Sequence, residues 1–139
     1  RAGTENVIFN VALGKACEVA QKSLLDNQVK ELTDYFYSRL KAIFDEDIKL
    51  NGDLNHRLPN TLNVSFLGHN GTEILSKLGD DIAASTGSAC HSGLISISPV
   101  LKAMNIPYET ARGAVRFSLG RYTTQEEIDI VIQRLKKFI

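Results

Sequence analysis

Two short stretches of this chain alternate between apolar and polar residues, and this alternation restricts the folds that the chain can adopt. Every second residue is apolar in both stretches: Leu62, Val64 and Phe66 in the first, and Val115, Phe117 and Leu119 in the second. Because alternate side chains of a β-strand point to opposite faces, a period of two predicts a strand with one face against a core. Both stretches are therefore predicted to be half-buried strands, with Arg116 on the face away from the core.

Four further segments have apolar residues at the three- and four-residue spacing of amphipathic helices. They are residues 5–22, 25–44, 73–78 and 123–138. The hydroxyl of Thr4 can serve as the N-cap of the first helix. The last helix has the strongest start signal, because the pair Thr123-Thr124 is followed three residues later by Glu126 and Glu127, as in a capping box.

Three shorter elements are predicted between these segments. Strands are expected at residues 48–50 and 82–84, and a short helix is expected from Pro99 to Met104, since proline suits a first helical turn. Helices and at least three strands, without the regular alternation of a parallel-sheet protein, predict an α+β fold. In this fold one helical layer covers a mostly antiparallel sheet.

The charge balance bears on the partners of the chain. Sixteen Lys and Arg residues balance sixteen Asp and Glu residues over 139 positions, so the formal net charge is zero. Without a basic surface, we expect neither a nucleic-acid partner nor a membrane partner. No apolar run approaches the roughly 20 residues of a membrane span, and residues 1–5 lack the layout of a signal peptide. A cytoplasmic protein is therefore expected.

The two cysteines, Cys17 and Cys90, lie far apart in different settings. A disulfide framework and a metal site are not expected, because the chain offers too few ligands at suitable spacing. Cys17 falls within the first predicted helix and is interpreted as a small packing residue.

Cys90 lies between Ser85 and Gly93, in a segment of small residues that is predicted to be an exposed loop. An accessible thiol is partly ionised at neutral pH and can act as a nucleophile. An incidental surface cysteine fits the same pattern. The neighbouring His91 could exchange a proton with Cys90, but adjacent side chains in an extended loop usually point apart.

Arg116 is a second candidate, because a strand in the middle of a globular chain seldom carries an arginine unless its guanidinium meets an anion. One interpretation is a clamp for a carboxylate. The other is an arginine whose aliphatic stem covers the sheet while its charged end reaches water.

Four groups of residues, spread from one end of the chain to the other, form a recognisable set. They are Arg1–Asn6, Arg57–Phe66, Ser85–Ser92 and Val115–Arg121, the last continuing in Thr123–Ile128. In this order they resemble the cysteine desulfurases and selenocysteine lyases, which are aminotransferase-like enzymes of fold type I that use pyridoxal phosphate (PLP). The chain is similar to the carboxy-terminal part of these enzymes.

This resemblance implies a role for three residues. Cys90 would be the nucleophile that takes sulfur or selenium from cysteine or selenocysteine, leaving alanine and, for cysteine, a persulfide. Arg116 would bind the substrate carboxylate, and Thr4 would contact the PLP phosphate of the other subunit in a homodimer. The resemblance also implies an acceptor protein for the sulfur or selenium, as in iron–sulfur cluster assembly.

The lysine that holds PLP in this family follows a histidine, and no His-Lys pair occurs in this chain. The resemblance therefore implies that this lysine lies upstream of Arg1, in a large PLP domain. Residues 1–22 would form the helix that links to that domain, and residues 23–139 would form the small C-terminal domain with the cysteine loop. This segment alone is expected to be inactive.

The sequence leaves the substrate and the class of protein open. His91 stands where many desulfurases have threonine, and Ala89–Ser92 is similar to selenocysteine lyases, so cysteine and selenocysteine are both candidates. An alternative is a stand-alone sulfur-relay or interaction module without PLP, in which Cys90 accepts a persulfide from a partner. A third interpretation is a regulatory α+β domain with an inert thiol.

Overall fold

The structure is a computed structural model that describes residues 3–23, 28–86 and 97–139. Its elements follow the order α1 (Val7–Ser23), α2 (Gln28–Phe44), β1 (Ile48–Leu50), β2 (Thr61–Phe66), α3 (Gly71–Leu78), α4 (Pro99–Ala103), α5 (Tyr108–Ala111), β3 (Ala114–Ser118) and α6 (Gln125–Leu135). The predicted start of the second helix at residue 25 and the centre of the predicted cysteine loop lie outside the described residues.

The described strands form an antiparallel sheet in the order β1-β2-β3. β2 is the central strand, with its Val64 opposite Leu50 of β1 and its Leu62 opposite Phe117 of β3. Residues opposite each other in an antiparallel pair point to the same face. The register therefore collects the apolar residues of the strands on one face, and the predicted α+β fold with an antiparallel sheet is confirmed.

The main core lies between this apolar face and helices α2, α3 and α6. Leu62, Val64 and Val115 are fully buried in it, as the alternation predicts. The helices contribute Phe36, Leu40, Ile74, Leu78, Ile128, Ile132 and Leu135. An edge-to-face contact joins Phe36 of α2 to Phe117 of β3, with ring centroids 5.0 Å apart. Such aromatic pairs add about 0.5–1.5 kcal/mol beyond the area that they bury.

The last helix begins as its sequence predicts. The Thr124 hydroxyl accepts a hydrogen bond from the Glu127 N–H at 3.3 Å, and the Thr124 N–H donates to the Glu127 carboxylate at 2.9 Å. These two hydrogen bonds satisfy the backbone N–H groups of Thr124 and Glu127, as in any capping box. The predicted start of α6 is therefore confirmed.

A smaller apolar cluster covers part of the opposite face of the sheet. Ala114 of β3 is buried there against Leu101 of α4 and Ala111 of α5. Because side chains alternate along a strand, Ala114 shares its face with Arg116. The short helices α4 and α5 thus shield one end of the face that carries Arg116. The helix α4 was predicted, whereas the four-residue α5 is too short to show a helical period.

The first helix is exposed along its whole length. None of its residues is buried, and its large apolar residues Val7, Ile8, Phe9, Val11 and Leu13 are all exposed. The interpretation of Cys17 as a packing residue is therefore wrong within this chain, since its thiol is exposed. The expected cap is also corrected, because the side chain of Asn6, not that of Thr4, accepts from the backbone N–H of Phe9.

The strand predicted at residues 82–84 does not form. Gly79 adopts a positive φ of 87° at the end of α3, and the N–H of Ile82 turns back to the carbonyl of Gly79. The carboxylate of Asp81 is held by Arg134 of α6, so the chain stays beside α6. The chain reaches β3 only at Ser85, which makes an isolated antiparallel bridge to Arg116.

A helix that crosses a membrane needs about 20 mostly apolar residues. In the part of the chain that the structure describes, no helix is both long and apolar enough to cross a membrane.

The burial of β2 generates a stability prediction. Leu62→Ala removes a side chain with 0% exposure from the centre of the core, and we expect it to lower the free energy of unfolding by about 2–5 kcal/mol. The matched control is Leu58→Ala, because Leu58 is 68% exposed, and changes at such sites stay within about 0.5 kcal/mol. Urea denaturation followed by circular dichroism measures both. Equal losses for the two variants would contradict the described core.

Candidate functional site

Arg116 lies at the middle of β3, with its side chain exposed on the face away from the main core. Its backbone N–H donates to the Ser85 carbonyl at 2.6 Å, and its carbonyl accepts from the Ser85 N–H at 3.0 Å. Among the described residues its guanidinium has no ion-pair or hydrogen-bond partner. The cation is therefore available to an anion from outside.

Cys90 and His91 lie outside the described residues, but the chain is described on both sides of them. The upstream flank is fixed to β3 by the bridge between Ser85 and Arg116. On the downstream flank, Ile97 packs against the small apolar cluster that contains Ala114 of the same strand. The upstream flank therefore meets β3 at Arg116, and the downstream flank packs on the apolar cluster that covers the outer face of the sheet at Ala114.

Thr4 occupies a different environment. It is exposed, and it precedes α1, which has no buried residue. Its hydroxyl makes no hydrogen bond to the described residues. The structure thus brings the upstream flank of Cys90 together with Arg116, and it does not add Thr4 to that pair.

The upstream flank of the cysteine segment is packed closely against α3 and the start of β3. A Cβ atom on Gly71, the first residue of α3, would lie 2.6 Å from the carbonyl oxygen of Ala114 and 3.1 Å from the methyl group of Thr86. The Gly71 N–H also donates to the Arg112 carbonyl at 2.9 Å. Only glycine allows α3, the start of β3 and Thr86 to meet this closely. Sequence reasoning did not identify Gly71, because a lone glycine after a turn has many explanations.

A polar network extends the outer face on the other side of Arg116. Asn63 of β2 lies directly opposite Arg116. The side-chain nitrogen of Asn51 donates to the Asn63 side-chain oxygen at 2.8 Å and to the Ser65 hydroxyl at 2.7 Å. Sequence reasoning did not identify this network, because it depends on which residues of the two strand regions lie next to each other.

Arg57, in the motif before β2, has a structural position. Its side chain is only 13% exposed and pairs with Asp34 of α2. It also donates to the carbonyl of Thr61 at 2.9 Å. These bonds fix the start of β2 against α2, so this guanidinium is not free to bind a ligand.

The ion pair between Asp81 and Arg134 holds the turn that leads to Ser85. Two guanidinium nitrogens of Arg134 bond the Asp81 carboxylate, and one of them also donates to the Leu78 carbonyl at 2.6 Å. Hydrogen bonding to Arg134 lowers the pKa of Asp81, and hydrogen bonding to Asp81 raises the pKa of Arg134. Each charged form is therefore favoured by its partner.

A groove of about 440 Å³ lies between residues 81–83, the end of β3 and α6. Its two carboxylates already have partners, because Asp81 pairs with Arg134 and Glu127 belongs to the capping box. Within the described ranges, no group of three or more His, Cys, Asp or Glu residues could hold a metal ion. The outer face around Arg116 is therefore the better candidate for a functional site.

Comparison with known proteins identifies the family. The family model described as "Aminotransferase class-V" matches residues 1–131. The chain belongs to the class-V aminotransferase family. This match and the relatives below confirm the family that the four motifs predict.

Relatives of this class-V chain include cysteine desulfurases of bacteria and of a eukaryote. It is 41% identical to "Cysteine desulfurase IscS" of Dictyoglomus turgidum over 100% of the chain and 36% of that protein. It is 44% identical to "Cysteine desulfurase NifS" of Azotobacter vinelandii over 100% of the chain and 35% of that protein. A "Probable cysteine desulfurase, mitochondrial" of Dictyostelium discoideum is 40% identical over 99% of the chain and 30% of that protein.

Solved structures agree with this assignment of the class-V chain. A structure described as "NIFS-LIKE PROTEIN" has a TM-score of 0.81 and 30% identity, covering 99% of this chain and 34% of its own. The chain thus spans about a third of the length of the relatives that it matches.

The close approach at Gly71 generates a second prediction. Gly71→Ala places a methyl group against the Ala114 carbonyl and Thr86, so we expect a loss of about 1–3 kcal/mol in the free energy of unfolding. The control is Gly120→Ala, whose added Cβ would meet nothing closer than 3.9 Å. Thermal denaturation compares them, and a Gly71 variant as stable as the control would contradict the described packing.

Proposed function

We propose that this chain is the carboxy-terminal part of a PLP-dependent cysteine desulfurase, with Cys90 as the sulfur-accepting nucleophile and Arg116 as the group that binds the substrate carboxylate. The observation that carries the proposal is the pair of backbone hydrogen bonds between Arg116 and Ser85. Ser85 lies five positions before Cys90, so this bridge ties the cysteine segment to the strand that presents the guanidinium. The names of the relatives favour cysteine over selenocysteine as the substrate.

We propose that residues 1–22 link to a large PLP domain and that residues 23–139 form the small domain. Two observations support this division. The chain spans about a third of the length of its relatives, and α1, which covers most of the first of these segments, has exposed apolar residues but no buried ones. An apolar helix surface of this kind is suited to packing against another domain.

The fit of PLP to this chain rests on Thr4. Its exposed hydroxyl, which bonds no described residue, is free to donate to a phosphate oxygen. The lysine that would hold the cofactor lies outside this chain in the proposed enzyme, and Thr4 would serve the site of the other subunit in a homodimer. When bound, PLP supplies an electron sink that weakens bonds at the substrate carbons.

In this mechanism Arg116 orients the substrate. Its planar guanidinium can donate two parallel hydrogen bonds to the substrate carboxylate, which lysine cannot do with the same geometry. Because β3 is hydrogen-bonded to β2 and to Ser85, the base of the arginine is held rigidly. A carboxylate fixed at this point positions the rest of the amino acid for reaction.

Cys90 provides the chemistry of sulfur transfer. Its thiolate attacks the substrate sulfur, a sulfur–sulfur bond forms, and the carbon–sulfur bond breaks. The electron pair of the broken bond passes to the substrate carbon, which gains a proton and becomes the methyl group of alanine. The carbon is reduced while the two sulfur atoms become a persulfide, so no external oxidant is required. An acceptor protein would then take the outer sulfur.

Replacement of the thiol tests the proposed nucleophile. In the full-length protein with PLP, Cys90→Ser should abolish alanine release from cysteine, because a hydroxyl cannot accept the sulfur atom. Cys17→Ser removes the other cysteine, which is exposed in α1, and should leave turnover unchanged. Alanine is measured by chromatography, and the persulfide is measured as one added sulfur atom in the mass of the Cys90 peptide. Full alanine release by the Cys90 variant would contradict the proposal.

Replacement of the guanidinium tests the carboxylate site. We expect Arg116→Ala to lower kcat/KM for cysteine by about 100-fold, because two charge-assisted hydrogen bonds are lost. Arg116→Lys should fall between this variant and the wild type, since lysine keeps the charge but not the fork. Arg39→Ala, on the partly exposed surface of α2, is the control. The proposed role fails if both Arg116 variants keep the wild-type KM for cysteine.

A further inference from the structure

Asn63 of β2 lies directly opposite Arg116 of β3. Because both backbone groups of Arg116 bond Ser85, the pair that Arg116 forms with Asn63 is one without direct backbone hydrogen bonds. Side chains come closest in such pairs, with Cβ atoms about 4.5–5.5 Å apart. Both side chains lie on the face away from the main core, and Asn63 is only partly buried. The register therefore sets the Asn63 side chain beside the base of the Arg116 side chain on the outer face of the sheet.

In this structure the neighbouring network occupies the oxygen end of the Asn63 amide. The side-chain oxygen of Asn63 accepts from Asn51, which lies just beyond β1 on the side of β2 away from Arg116. In the described part of the chain, the Asn63 side-chain nitrogen donates no hydrogen bond. The oxygen end is thus occupied on the β1 side, and the N–H groups are left to donate beside the guanidinium.

Asn51 holds this arrangement at a cost. It is 9% exposed, and both protons of its side-chain amide are used, one on Asn63 and one on the fully buried Ser65. Its own side-chain oxygen is buried and has no partner among the described residues. A buried acceptor without a partner costs about 1–3 kcal/mol. Such an exception to complete hydrogen bonding calls for an explanation, and the fixed orientation of Asn63 provides one.

We propose that Asn63 is a substrate-binding residue that donates a hydrogen bond to the same carboxylate as Arg116. This inference rests on the proposed function of Arg116. A carboxylate accepts about four hydrogen bonds, of which a bidentate arginine supplies two, so it can also accept from an amide N–H. Two donors on adjacent strands fix the carboxylate plane more tightly than one. Together they select amino acids that carry a carboxylate over the corresponding amines.

The key variant is Asn63→Asp, because its carboxylate oxygen can still accept from Asn51 while the two amide donors are lost. Two probes that differ only by the carboxylate are used: L-alanine, the proposed product, and ethylamine. Calorimetry on the full-length protein with PLP should show that the affinity for L-alanine falls by roughly 10- to 100-fold. This is the effect expected for a lost hydrogen bond to a charged group and an added negative charge. Ethylamine binding should not change.

Two further variants make the result specific. Asn63→Ala removes the donors without adding a charge, and we expect it to lower the affinity for L-alanine by about tenfold. Asn105→Asp makes the same charge change at an exposed left-handed position, φ 57°, which aspartate also tolerates. It should bind both probes as the wild type does. The melting temperature of each variant separates loss of binding from loss of fold.

The outcomes distinguish this inference from the proposed function. If Arg116→Ala weakens L-alanine selectively but both Asn63 variants bind it normally, the role of Asn63 is wrong and that of Arg116 stands. If neither position affects L-alanine, the carboxylate site itself is wrong. Equal weakening of L-alanine and ethylamine by the Asn63 variants also overturns the inference. If these variants unfold, nuclear magnetic resonance of the wild type tests the inference instead. The Asn63 side-chain amide signal should shift when L-alanine is added and not when ethylamine is added, and any other result overturns the inference.

Discussion

Arg116 has its position because β3 is hydrogen-bonded along both of its edges. The pairing with β2 decides which face the guanidinium occupies, since the alternate residues Val115 and Phe117 are buried in the core. The pairing with Ser85 brings the flank of the cysteine segment to the same residue. A shift of β3 by one residue would exchange its two faces and place the charge among apolar side chains. The burial of the inner face therefore determines the chemistry of the outer one.

Elements whose signals are local were predictable from the sequence. The alternation at residues 61–66 and 114–118 identified both long strands, and the spacing of Thr124 and Glu127 identified the start of α6. A strand period or a capping box involves only residues that are near in sequence. The exposed position of Arg116 on the outer face followed from the same period, so part of the candidate site was predictable as well.

Features that depend on distant residues were not predictable in this way. Residues 82–84 have the composition of a strand, but Asp81 is held by an arginine more than fifty positions away. Cys17 lies in an apolar pattern that has no surface to pack on within the described chain. The bonds of Asn51 to β2 depend on the register of two strands, which single-residue propensities do not specify. Tertiary contacts decided each of these cases.

Because α1 is exposed, its backbone hydrogen bonds are short-lived compared with those of the core. A 17-residue helix with no buried side chain has little more than its own propensity to stabilise it, which is marginal for isolated helices of about this length. In the chain as described, amide protons of α1 would exchange with deuterated solvent through local fraying. Amides in β2, which lies at the centre of the sheet, would exchange only when the whole core opens. The backbone hydrogen bonds of α1 and of β2 would thus differ in lifetime by orders of magnitude.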